Sequence, residues 1–420
     1  MKITFTCLLL IIPFLLCQGQ DIVGARKYLK ILCSQKMGGR GYVHSGEKKA
    51  ARFLRKEFEK IGLQPFKGSY FQNFNLNINT FPGKVILQTD RKKFVTGKDY
   101  IVNPISGPGK GEYNVNYLDT LIFSDNTIRK KFLDTDNSKS VFVYESKYYQ
   151  KITELRLEYL DKIHEAPCII ELEDRKLTAG LSGSQFSHPF FKVKKEAFDM
   201  STKRIKFRLD AQLIRNYQTQ NVIGYIKGKT KPDSMIIISA HYDHLGRMGK
   251  KTYFPGANDN ASGVAMMLEL ARHYAKPENQ PDYTIFFMAF GAEEVGLLGS
   301  KYFTEHPYFF LTRIRFMINL DLLGTGDDGM MVVNATVNPV EFGLLDSINK
   351  RKKYLPALKK RGPAPNSDHY YFSERDVPAF FFYTLGGIAA YHDIYDRPKT
   401  LPLTKFKEVF LLISDFIKEL

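Results

Sequence analysis

Apolar positions along the chain repeat with two periods, and the change of period marks its organisation. Between residues 24 and 63 they recur every three or four residues. In EKKAARFLRKEFEKIGL, Ala50, Phe53, Leu54, Phe58 and Ile61 share one helical face, and Gly62 supplies the stop. YFQNFNLNINTF, residues 70–81, alternates as a strand does. From about 82 to 215 short β-like runs (KVILQ, SVFVYES, PCIIELE, RIKFRLDAQL) are separated by Gly, Pro, Asn and Asp, with one helical patch, YYQKITELRLEYLDKI. From about 216 onward continuous apolar runs take over: SMIIISA (234–240), TIFFMAF (284–290), IRFMINL (314–320), GMMVVNA (329–335) and PAFFFYT (378–384). They alternate with helical stretches: NASGVAMMLELARHYA (260–275), VGLLGSKYF, a segment near 338–350, and TKFKEVFLLISDFIKEL at the end.

Strands apolar on both faces that alternate with helices predict an α/β fold, with a mixed, largely parallel sheet covered by helices on both sides. The expected division is a leader over 1–20, an amino-terminal helical part of the catalytic domain over 21–81, an inserted β-rich domain over 82–215, and the catalytic domain over 216–420.

The leader reading rests on Lys2, the apolar run CLLLIIPFLLC from Cys7 to Cys17, and the small residues Cys17 and Gly19 placed as at a cleavage site before Gln20. The run is short for a bilayer span, and no later stretch offers ~18 uninterrupted apolar residues. The expectation is an exported protein, periplasmic or secreted, with no transmembrane segment. Cys17 as a lipid anchor is the alternative, disfavoured by Leu16 before it. Without the leader, Cys33 and Cys168 remain, either paired or as two buried thiols. The formal charge of +17 comes mostly from scattered doublets, densest in RKKYLPALKKRG at 351–362, with no nucleic-acid motif beside them. A solvated basic face is the preferred reading, and no nucleic-acid partner is expected.

The chemistry sits where the strands end. SMIIISA runs into His241 and Asp243, TIFFMAF into Glu293 and Glu294, IRFMINL into Asp321; GANDNASG places Asp259 in a Gly-rich turn at a helix start, and His392 follows in GGIAAYHDIYD. In such sheets ligands bind outside the carboxyl ends of the strands. Two histidines and three carboxylates on one rim need cations, because several ionised carboxylates would otherwise crowd one cleft. Imidazole with carboxylate and no thiolate suits zinc, with manganese or cobalt as substitutes. Five ligands are one too many for a single open site but suffice for two ions if Asp259 bridges. Adjacent side chains at a strand end point different ways, so Glu294 is expected to bind metal and Glu293 to act as general base.

HYDHLG, GANDNASG, FGAEEVGLLGS, NLDLLG and YHDIYD, in this order, resemble the co-catalytic zinc aminopeptidases of metallopeptidase family M28, of the bacterial exported type, most strongly over 216–400. LCSQKMGGRGYVHSGEKKAARFLRKEFEKIGLQPF is similar to the amino-terminal region of bacterial members. The insert matches by position the protease-associated domain that many members carry. The resemblance implies two zinc ions per subunit, one held by His241, Asp321 and Asp259, the other by Asp259, Glu294 and His392. It implies that Asp243 orients His241, that the Asp259–Asn260 peptide is cis, and that Tyr391 stabilises the tetrahedral intermediate. The implied activity is release of N-terminal residues from peptides by metal-activated water attack. Alternatives on the same scaffold are a single-zinc glutaminyl cyclase, disfavoured because the chain has no Trp, a carboxypeptidase or dipeptidase, and a non-catalytic ectodomain, which would have lost ligands or the base. Asp393, after His392, departs from the usual family pattern, and His369 in NSDHYYF is a further candidate for the substrate cleft.

Overall fold

A computed structural model describes residues 22–420; the expected signal sequence over 1–20 and the candidate lipid-bearing Cys17 lie outside the described residues. The chain opens with helices α1 (Ile22–Leu32) and α2 (Gly46–Ile61). The sequence reads 24–63 as helical, but the stretch between them is irregular. Gly38, Gly39, Arg40, His44 and Ser45 all have positive φ. Gly39 is required there: a Cβ would stand 2.4 Å from the Phe254 carbonyl oxygen and 2.5 Å from that of Gly246. A close backbone approach to a distant loop therefore overrides the local helical pattern.

The main sheet has nine strands. Its principal members are β1 (Phe71–Thr80), β2 (Gln212–Ile226), β3 (Lys231–His241), β4 (Tyr283–Phe290), β5 (Ile314–Leu320), β6 (Met330–Val333) and β7 (Ala379–Thr384). The spatial order β2, β4, β3, β5, β7, β6 puts four parallel strands, β4 to β7, in the middle and antiparallel pairs on the flanks. Helices α3 (Gly263–Tyr274), α4 (Leu298–Glu305), α5 (Pro339–Lys352) and α6 (Phe406–Glu419) complete the layers.

Successive residues of β3 serve opposite faces: Ile236 and Ile238 pack with α1, α2, α3 and α6, while Ile237 packs with Phe286, Phe303 and Phe372. Each fully buried side chain of this kind contributes ~2 kcal/mol, so the sheet is fixed from both sides and its strand ends cannot shift independently.

The run RIKFRLDAQL, expected as one strand, divides at Asp210 and Ala211. Arg204–Leu209 closes a second, seven-stranded sheet in the insert, and Gln212 begins the long strand β2 of the main sheet. The polar pattern of QTQN in β2 gave no strand signal; pairing with β1 makes it one, and the strand runs on into Val222–Ile226, which pair with β4. The insert also carries helices Asn126–Asp134, Tyr149–Thr153 and Leu157–His164 beside its sheet, the first of which the sequence pattern did not announce. Phe81, Leu245, Met248 and Phe254 join the apolar core of the insert and bind it to the main body. Cys33 and Cys168 are both buried free thiols, so they are not paired. Among the described residues no helix is long and apolar enough to cross a membrane.

In the insert, His164 Nδ1 and His188 Nε2 lie 3.3 Å apart. Burial lowers both imidazoles, His188 to about 4. The unfolded chain, with histidines near 6.5, then binds protons before the folded one does. Stability is therefore full above pH ~6.5 and falls as pH drops toward 4. Thermal midpoints at pH 7.5 and 5 are expected to differ by less in His188→Phe than in the parent; an unchanged gap would remove this pair as the acid-sensitive element.

Candidate metal centre

β3 ends on His241, which is level with Phe290 at the end of parallel β4, and β5 ends next to Asp321. The chain then turns sharply at Ala292 (φ 58°) and Leu322 (φ 54°), and His392 itself sits at φ 52°. Left-handed backbone at non-glycine residues costs ~1–2 kcal/mol each, and here it aims Glu293, Glu294, Asp321 and His392 into one cleft. Asp259 lies in the turn before α3, and its peptide with Asn260 is cis.

These side chains converge. His241 Nε2 is 3.3 Å from Asp259 Oδ1, 3.4 Å from Asp321 Oδ2 and 3.9 Å from Glu293 Oε2. His392 Nε2 is 2.9 Å from Asp259 Oδ2 and 3.1 Å from Glu294 Oε2. A cavity of about 190 Å³ opens onto them, lined also by Leu322, Asn366, Phe381, Tyr383 and Tyr391. Tyr391 is half exposed, with its ring stacked on that of His392 at 4.0 Å. Asp243 is fully buried, but its carboxylate stands 3.9 Å from His241 Nδ1; that nitrogen donates instead to the Asp243 backbone carbonyl at 3.3 Å, while Asp243 Oδ1 accepts from the Glu293 amide at 3.1 Å. His369 is buried against Phe381, is lowered to about 4 by burial, and does not line the cavity, so it is a packing residue.

The charges are unresolved by protein atoms alone. Burial raises Glu293 well above the carboxylate range, raises Asp321, and brings Asp243 to about 7. Against the upward push of burial, contacts with His241 and His392 hold Asp259 well below its usual value, and His392 and His244 hold Glu294 at about 2. The imidazoles respond in kind: despite burial, the Glu293 and Asp321 charges lift His241, and Glu294 and Asp259 lift His392 to about 11. Asp259 Oδ2, Asp321 Oδ1 and Asp243 Oδ2 are buried without a hydrogen bond. Asp259 and His392 approach to 2.9 Å without hydrogen-bond alignment. Donor atoms on a tetrahedral ion with bonds of ~2.0–2.1 Å stand about 3.3 Å apart, which is the spacing found here. The groups His241, Asp259, Glu294 and His241, Glu293, Asp321 each gather ligand atoms within 4.8 Å. The residues present therefore fit divalent cations.

Several supports escaped sequence reasoning. His244 Nδ1 meets Glu294 Oε1 at 2.6 Å; it stands in the same HYDH run as His241. Asp396, in HDIYD, accepts from the amides of Asn258 and Asp259 at 2.8–3.0 Å. A relay of Ser239, Asn319 and Ser367 ends on Asp321 Oδ2. Asp368 is buried beside it with no well-formed hydrogen bond, and burial raises it to about 6.

Arg40 is wholly buried and no salt bridge joins it among the described residues. Its guanidinium donates to five carbonyls: Tyr242 at 2.9 Å, Leu32 at 3.3 Å, Pro255 at 2.7 Å, Gly256 at 2.8 Å and Asp259 at 3.2 Å. It ties the loop after β3 to the Asp259 turn.

Residues 221–417 match the profile of Peptidase family M28. Over 151 residues the chain is 38% identical to aminopeptidase YwaD of Bacillus subtilis, covering 36% of this chain and 31% of that protein. A vacuolar membrane protease of Clavispora lusitaniae is 25% identical over 327 residues, or 74% of this chain and 30% of that protein. The chain thus spans about a third of the length of these curated relatives. Among solved structures, a zinc aminopeptidase from Bacillus subtilis shares the fold with a TM-score of 0.70 at 21% identity over 94% of both chains. An aminopeptidase from Aneurinibacillus sp. strain AM-1 gives 0.66 at 22% identity, over 95% of this chain and 93% of that one.

Arg40→Met is expected to orphan the carbonyls around both loops and lower stability by ~3 kcal/mol in urea unfolding. Arg40→Lys should recover only part of this, because a point charge cannot reach all the acceptors a planar fork does. Equal stability of both variants with the parent would show that the ring of carbonyls is not what the guanidinium holds.

Proposed function

We propose that the chain, whose residues 221–417 match peptidase family M28, is an exported metallo-aminopeptidase working with two zinc ions. The observation that carries this reading is the convergence of His241, Asp259, Glu294, Asp321 and His392 on one cleft beside the partly buried Glu293. His241, Asp321 and Asp259 would hold one ion, and Asp259, Glu294 and His392 the other, with Mn²⁺ or Co²⁺ as substitutes. The ions, when bound, would polarise the scissile carbonyl and make water a stronger acid.

The remaining work belongs to side chains. Glu293 would take the proton of the attacking water and pass it to the leaving amine. Its amide is pinned by Asp243, so the carboxylate faces the cavity at a fixed angle. Tyr391, half exposed at the rim, would donate its hydroxyl to the oxyanion of the tetrahedral intermediate. Leu322, Phe381 and Tyr383 give the cavity an apolar wall, which favours a first residue such as Leu, Phe or Met. The absence of Trp and the retention of every expected ligand weigh against a glutaminyl cyclase and against a non-catalytic ectodomain.

Two outcomes test this. Glu293→Gln should keep its metal content while kcat on aminoacyl p-nitroanilides drops by ~10²–10⁴ with little change in KM. Chelation should abolish hydrolysis by the parent and added Zn²⁺ or Co²⁺ restore it, with Leu, Phe and Met substrates ahead and N-acetylated ones uncleaved. Cleavage of N-blocked peptides from their carboxyl end would replace the aminopeptidase reading with a carboxypeptidase one.

A further inference from the structure

His392, like Asp259, follows no strand of the main sheet directly. It lies on a long loop after β7, at φ 52°, a conformation an L-residue holds only if its surroundings impose it. What imposes it comes from the insert. The segment 174–184, between the insert strands Ile169–Glu173 and Phe190–Lys194, runs as an irregular strap against the His392 loop. Two hydrogen bonds join them, one backbone to backbone and one from the imidazole: the Ala179 amide donates to the His392 carbonyl at 3.0 Å, and His392 Nδ1 meets the Ala179 carbonyl at 3.0 Å. A carbonyl can only accept, so this contact places the proton on Nδ1 and leaves Nε2 facing Asp259 and Glu294.

Charge then fastens the strap. Lys176 Nζ reaches Asp393 Oδ2 at 2.8 Å and the Ala389 carbonyl at 2.8 Å, spanning the loop on both sides of His392. Asp393 Oδ1 in turn accepts from the Tyr395 amide at 2.8 Å. The departure from the family pattern at Asp393 therefore has a partner, and that partner lies in the insert. The strap is itself anchored: Leu177 and Ala179 are buried in the core of the insert, Asn79 of β1 donates its amide to the Ser182 carbonyl at 2.8 Å, and Gln185 Nε2 donates to Asn79 Oδ1 at 2.7 Å.

We infer that the insert is a working part of the metal centre: its strap, held by the Lys176–Asp393 pair, orients His392 for the ion shared with Asp259 and Glu294. Lys176 and Asp393 are positioning residues; neither touches substrate. The inference rests on the two-ion reading above. The pair is part-buried, with 41% of the Lys176 side chain but only 10% of the Asp393 side chain exposed, so the double variant, which leaves no unpaired charge behind, is the one expected to loosen the loop without unfolding the domain.

The experiment is a titration of the metal-free full chain with Co²⁺, read by visible absorption and by chelator competition, on the parent, Lys176→Met, Asp393→Asn, the double variant and Lys176→Arg. Changing an outer partner of a ligand histidine costs about 10–100-fold in metal affinity; acting one step further out, Lys176→Met and Asp393→Asn should each weaken one of the two Co²⁺ ions by about 3–10-fold and leave the other unchanged. The double variant should lose no more than either single one, because both remove the same interaction. Lys176→Arg should retain the parent's affinity. Thermal midpoints within a degree or two of the parent would separate this from general destabilisation. Equal affinities for both ions in all five proteins would overturn the role of the strap while leaving the metal centre intact. A parent that binds no Co²⁺, or one ion, would instead defeat the two-ion reading.

Discussion

Six carboxylates, from Asp243, Asp259, Glu293, Glu294, Asp321 and Asp368, crowd the carboxyl ends of three adjacent parallel strands with almost no access to water. Their mutual repulsion in a low-dielectric pocket is the constraint around which this molecule is built. Without a cation, the protein can answer only by protonating its acids and its imidazoles, and the directions of the pKa shifts describe that compromise. The ring of carbonyls around Arg40, the Asp396 amide contacts and the left-handed residues at the turns keep the acids in place against their own repulsion. A site of this kind is held from behind, by groups that never meet the substrate.

The fold supplies the alignment. Parallel strands buried on both faces end at a common level, so residues remote in sequence arrive together once the strands are in register. The antiparallel flank formed by β1 and β2 serves another purpose. It carries the chain into and out of the insert, bringing a second sheet close to the mouth of the first.

How much of this could be read beforehand follows from distance along the chain. The strands were legible because continuous apolar runs mark them, and most of the proposed ligands because they stand just after such a run or, for Asp259, in a Gly-rich turn; His392, on a long loop, was legible only through its motif. His244 and Asp396 lay inside motifs already singled out, yet nothing local says that one faces Glu294 and the other two backbone amides. Arg40 was invisible for a stronger reason: in a chain with 61 basic residues, one that is wholly buried looks like the rest until the carbonyls it collects from segments over two hundred residues away come into view. The break in the amino-terminal helical stretch has the same origin, since only tertiary contact with the loops near Gly246 and Phe254 demands it.

The two thiols of the described residues, Cys33 and Cys168, have a consequence of their own. Burial pushes Cys33 up to about 12 and Cys168 well above its usual value, so neither offers thiolate to an oxidant or alkylating reagent while its surroundings stay closed. One sits in the core of the main body and the other in that of the insert. Each sulfur is therefore a built-in reporter, silent in the native state and labelled only when its own half breathes, which lets the opening of the two halves be timed separately in a single unmodified molecule.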